Sequence, residues 1–114
     1  MIYDAKGREV EVRSRMRGGS GDVQIAHVIK DSLPGKCRML SEITIAPGGS
    51  IGYHVHEKET EIFIIKSGRA LIDDNGVKVT ANPGDAISTP GGHGHSVESI
   101  GDESLVMTAI IILD

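Results

Sequence analysis

The chain has 114 residues, 39% hydrophobic and 25% charged, with a net charge of −4. That is enough for one domain with its own core, and it is the balance of an ordinary globular protein rather than of a disordered tail. The longest apolar runs, Ile62–Ile65 and Ala109–Leu113, are far too short to span a bilayer, and the single cysteine, Cys37, excludes an intramolecular disulfide and a Cys-x-x-Cys zinc site. Met1-Ile2-Tyr3-Asp4 lacks the basic and apolar parts of a secretion signal, so no membrane partner is expected and a cytoplasmic location is.

Charge is unevenly spread, with +3 over residues 1–38 and −7 over 39–114. The basic cluster Arg8, Arg13, Arg15 and Arg17 is interrupted by Glu9 and Glu11 and has no interleaved aromatics. In an acidic chain this does not describe a nucleic-acid surface, and no nucleic-acid partner is expected. Residues 1–22 are polar and contain the loop Gly18-Gly19-Ser20-Gly21. They read as an N-terminal extension that contacts a second subunit, covering a sheet edge of its neighbour. Residues 23–114 read as one domain.

Val23–Ile29 alternates as a strand, with Val23, Ile25, His27 and Ile29 on one face. After Pro34-Gly35, Cys37–Ile45 alternates again, and Cys37, Met39, Ser41, Ile43 and Ile45 share a face. Ala46-Pro47-Gly48-Gly49 turns the chain into a strand over Ile51–His56, followed by strands at Glu61–Lys66 and Arg69–Asp73. Asp74-Asn75-Gly76 is a hairpin signal, since Asn-Gly supplies the positive φ that such turns need. Strands at Val77–Thr80, Ala86–Thr89, His95–Ile100 and Leu105–Leu113 complete the chain. Many short strands with turns every eight to twelve residues predict an all-β sandwich or barrel.

Four of the five histidines fall in two clusters, His54/His56 and His93/His95. On an extended strand His54 and His56 project to the same side, about 7 Å apart at the backbone, which suits two nitrogens converging on one ion. Glu61 opens the apolar run Ile62–Ile65, where a carboxylate is costly unless a cation pairs with it. Three neutral imidazoles and a carboxylate suit a divalent transition metal and leave coordination positions for a ligand. His95 and His93 compete for the third imidazole, because i and i+2 share a face; otherwise His93 lies on the rim.

Gly48-x5-His54-x-His56-x4-Glu61-x6-Gly68 resembles the first sequence motif of the cupin superfamily position for position. Gly84-x5-Pro90-x-Gly92-x2-His95 resembles the second, with Ser99 where an asparagine usually closes it. The likeness extends over about residues 37–113. It implies a jelly-roll or conserved β-barrel fold with a metal in its mouth, held by His54, His56, Glu61 and His95. It also implies manganese, the first choice here, or iron, nickel or zinc, and a homodimer.

Among cupins the chain resembles small single-domain proteins labelled oxalate-decarboxylase-like, which implies a small carboxylate ligand able to chelate the ion through two oxygens. Bacterial oxalate decarboxylases carry an arginine three residues before the first motif histidine, and Ile51 stands there instead. No insertion resembles their mobile lid with its catalytic glutamate. The expected function is therefore a metal-dependent cupin that acts on or binds an oxalate-like metabolite. An Fe(II) dioxygenase and a non-catalytic binding module are the alternatives.

Other residues carry plainer expectations. His27 reads as a packed or surface histidine and Cys37 as a small buried hydrophobe. Arg38 and Tyr53 are pocket candidates. Glu57, Lys58 and Glu59 read as a solvated turn, and the spacing disfavours Glu59 in place of Glu61.

Overall fold

Ten strands account for the chain in a computed structural model that describes residues 1–114. They are β1 (Val10–Ser14), β2 (Asp22–Ile29), β3 (Cys37–Ile45), β4 (Ser50–Val55), β5 (Glu59–Ser67), β6 (Arg69–Asp74), β7 (Val77–Ala81), β8 (Ala86–Thr89), β9 (Gly94–Ile100) and β10 (Leu105–Leu113). The all-β expectation holds, and most strand ends fall within two residues of the sequence reading. The β6–β7 hairpin turns on Asn75 and Gly76, both at positive φ (50° and 98°), while Asp73 Oδ1 accepts from the Gly76 amide at 2.8 Å.

The strands form a six-stranded sheet, β1-β2-β3-β10-β5-β8, and a four-stranded sheet, β4-β9-β6-β7. Every pairing is antiparallel. No strand pair joins the two sheets, so the expected barrel takes the form of a two-layer jelly roll. Apolar residues alternate inward from both layers. Ile25, Ile43, Phe63, Ile65 and Met107 of the large sheet pack with Ile51, Ile72 and Val97 of the small one, inside a cluster of 15 buried residues. Fully burying each such side chain stabilises the fold by roughly 1.5–3 kcal/mol.

The same inward faces run on from this core into polar residues. Glu61 lies in line with Phe63 and Ile65 on β5, His95 with Val97 on β9, and Thr89 with Ile87 on β8, and all are buried. On β4 simple alternation fails. Ile51 pairs with Val97 but His54 pairs with His95, so three steps on β4 match two on β9. This β-bulge reverses the parity of the strand and turns His54 inward on the same face as Ile51.

The N-terminal segment is part of this architecture. β1 pairs with β2 of its own chain over Val10–Ser14. The chain then bends through a 3-10 turn at Met16–Gly18, with Arg15 and Arg17 in the left-handed region (φ 51° and 56°), and reaches the opposite sheet. There the Ser50 amide donates to the Ser20 carbonyl at 2.8 Å, and Gly19 and Gly52 meet backbone to backbone. Residues 10–20 thus form a strap from one layer to the other. The loop at Gly18–Gly21 is fastened through these bonds.

Candidate metal centre

His54 and His56 come from β4 and the residue after it, His95 from β9, and Glu61 from β5, so the cluster bridges both sheets. His95 is 1% exposed, Glu61 5% and His56 6%. His56 Nε2 lies 3.0 Å from His95 Nε2 and 2.9 Å from Glu61 Oε1. His95 Nε2 lies 3.3 Å from His54 Nε2 and 3.1 Å from Glu61 Oε1. Two donors that each sit about 2.0–2.2 Å from one ion, at right angles, are separated by about 3 Å. One donor atom from each of the four residues lies within 4.8 Å of all the others, and this group could hold a divalent metal ion.

The rings are oriented for that role by their other nitrogens. His54 Nδ1 donates to the Gly52 carbonyl at 2.8 Å, and His56 Nδ1 donates to Glu59 Oε2 at 2.8 Å. Both partners only accept, so the proton is fixed on Nδ1 and the Nε2 lone pair is left to point at the cluster. His95 Nδ1 pairs with the Thr89 hydroxyl at 2.9 Å, and its ring stacks on Phe63 at 5.0 Å between centroids. Glu59 is itself held by Arg38, whose Nε and Nη2 donate to its two oxygens at 3.0 and 2.9 Å.

Electrostatics agree with this arrangement. Burial draws the Glu61 carboxyl upward, but hydrogen bonds from His56 and His95 outweigh it and hold the group down at about 2. His56 is raised, first by Glu61, while His54 is lowered by burial. With Nδ1 already committed as a donor, a hydrogen bond from His56 Nε2 to Glu61 requires an imidazolium. A cation in the same position removes that requirement, so the donor set fits a metal by its chemistry as well as its spacing.

A cavity of about 130 Å³ opens beside the cluster. Its floor is apolar, with Ile25, Ile43, Ile51, Phe63 and Ile111, and His54, His56 and Glu61 form one side. An engineered cavity of ~150 Å³ holds benzene, so this one admits a ligand of on the order of six non-hydrogen atoms.

The remaining sequence-predicted residues divide. Arg38 does line the cavity. Tyr53 does not: it is 49% exposed, on the outer side of the bulge, and packs against Gly94. The His93 side chain is exposed and only its carbonyl approaches the site, accepting from the His56 amide at 3.1 Å. Glu59 neither replaces Glu61 nor sits in a solvated turn; it orients His56. Cys37 is only half-buried, and its Sγ lies 3.5 Å from the Met39 carbonyl. His27 lines the cavity, paired with Glu11 through Nε2 and with Ser41 through Nδ1 at 3.2 Å. Glu11, Arg13, Met16 and Arg17 of the strap complete the wall. The alternating charges of residues 8–17 were their only sequence signal.

A two-layer jelly roll with this donor set at its mouth defines a class, and comparison with known proteins supplies the family. The profile described as the cupin domain matches residues 41–111, and the chain belongs to that family. It is 41% identical over 101 residues to the oxalate-binding protein of Thermotoga maritima, covering 88% of this chain and 84% of that one. The crystal structure of a predicted oxalate decarboxylase from T. maritima superposes with a TM-score of 0.94 at 37% identity, over 100% of both chains. The KdgF protein of Halomonas shares the fold, with a TM-score of 0.78 at 18% identity over 100% of this chain and 96% of that one. No helix is long and apolar enough to cross a membrane.

Proposed function

We propose that the protein binds oxalate, or a dianion of similar size, at a divalent metal held by His54, His56, Glu61 and His95, with Mn(II) the first choice. The observation that carries this is the convergence of three imidazole Nε2 atoms and one buried carboxylate oxygen on a single point beside a small cavity. The likeness to the T. maritima oxalate-binding protein supports the ligand class. When bound, the metal supplies Lewis acidity and open coordination positions for two carboxylate oxygens.

The chain's own residues do the rest. Gly52, Glu59 and Thr89 aim the imidazoles, the apolar floor excludes bulk water, and the cavity volume rejects larger acids. Binding is favoured over decarboxylation because Ile51, where oxalate decarboxylases carry arginine, is a core residue at 2% exposure. Metal analysis of the purified protein, followed by calorimetric titration of oxalate with and without Mn(II), tests this. Micromolar binding that requires the metal, with no formate or carbon dioxide released, is expected. Oxalate binding that is indifferent to the metal would overturn it.

The same proposal includes a cytoplasmic homodimer whose contact involves the strap. β1 is an edge strand, and Val10 and Val12 on it are exposed. Light scattering at micromolar concentration checks the dimer, and a monomer mass would remove it.

A further inference from the structure

Three arginines line the cavity, Arg13, Arg17 and Arg38, alongside Glu11 and Glu61. Two of the three are engaged within the protein. Arg38 gives both arms to Glu59, and Arg13 Nη2 donates to Glu11 at 3.2 Å. Arg17 pairs with no carboxylate.

Its side chain is exposed, but the position of its backbone is imposed. Its backbone is left-handed (φ 56°, ψ 30°), and its carbonyl abuts Gly52 so closely that a Cβ there would lie 2.0 Å from the oxygen. Strain of this kind persists in a non-glycine residue only where the surrounding structure determines it.

We propose that Arg17 is the specificity residue of the site, receiving the carboxylate oxygens that face away from the ion and so selecting a small dicarboxylate dianion over a monoanion. This rests on the metal-dependent binding proposed above. A dianion that chelates through two oxygens presents its remaining pair outward, and an unengaged guanidinium fork matches such a pair. β4 offers no cation of its own, since Ile51 is buried in the core.

Calorimetry of oxalate and acetate with Mn(II)-loaded wild type, Arg17→Gln and Arg17→Lys tests it, with Mn(II) affinity measured in parallel. Arg17→Gln should bind Mn(II) within about twofold of wild type and leave acetate unchanged, but bind oxalate roughly 10–100-fold more weakly. Arg17→Lys, which restores the charge without the fork, should recover part of the loss. Equal oxalate affinity in Arg17→Gln overturns the assignment while leaving the metal-dependent function intact. Loss of Mn(II) and oxalate binding together in both variants also overturns it, because the effect is then on the metal centre. Failure of wild type itself to bind oxalate when metal-loaded overturns the function, and this assignment with it.

Discussion

His54 stands opposite His95 across the β4–β9 ladder, their Nε2 atoms 3.3 Å apart, because β4 carries one residue more than β9 between Ile51 and this pair. Gly52 lies in the bulge that makes the pairing possible. A Cβ on it would meet the Arg17 carbonyl oxygen at 2.0 Å and the Gly19 amide at 3.0 Å, both backbone atoms. Gly52→Ala must therefore displace the strap or the bulge. It is expected to cost about 2 kcal/mol, lowering the melting temperature by roughly 8 °C and weakening Mn(II) binding as His54 turns. An unchanged melting curve would show that the strap is not packed there.

Thr89 is fully buried, and its hydroxyl is the Nδ1 partner of His95. Thr89→Val keeps the shape and removes that partner, so the ring loses the contact that orients it and leaves a polar nitrogen unpaired. Metal affinity should fall about 10–100-fold with little change in circular dichroism. A loss below twofold, measured by competition with a chelating dye, would contradict an orienting role.

Glu59 reaches His56 and Arg38 at once, so the two contacts should be coupled. Glu59→Gln should weaken metal binding about tenfold, and Arg38→Gln by less, because it only loosens the carboxylate. The double variant should be no weaker than Glu59→Gln alone. Additive losses would mean that Arg38 acts on the site by another route.

Most of the fold was legible because inward and outward residues alternate cleanly, as in Cys37–Ile45, which is β3 to the residue. His54, His56, Glu61 and His95 were legible because their spacing is fixed by two strands and one turn. The parity change on β4 was not. Period-2 alternation from Ile51 places Tyr53, not His54, on the inner face, and only a cross-strand register reveals the extra residue. Glu59 and the strap were missed for a related reason. A charged residue on a turn and one at a cavity wall have the same composition, and the partners that distinguish them, His56 for Glu59 and Gly52 for Arg17, depend on tertiary packing.

Acid should loosen the strap. The Glu11 carboxyl is held below its ordinary value by hydrogen bonds from His27 and then Arg13. A depressed carboxylate contributes stability that is present above the ordinary carboxylate pKa and is lost as pH falls through the lowered one. Amide exchange over residues 10–17 should therefore accelerate relative to β3 and β10 as pH drops below the ordinary carboxylate range. Glu11→Gln should show the faster exchange at neutral pH already and lose the acid-dependent increase. Identical pH profiles for the two proteins would assign the strap's attachment to its backbone bonds alone.

Metal removal reads the centre most directly. Glu61 is a carboxylate at 5% exposure with a ring from each side of it, and a cation bound there stabilises the folded chain by mass action. At a metal concentration 100-fold above Kd the gain is about 2.7 kcal/mol, which for a chain of this size raises the melting temperature by roughly 10 °C. A chelator should reverse the shift, and Mn(II) should restore it. His95→Ala removes the donor that contacts both His54 and Glu61, and should leave the melting temperature insensitive to either addition. Chelator-treated wild type that melts where the loaded protein does would mean that no ion is held by these four side chains.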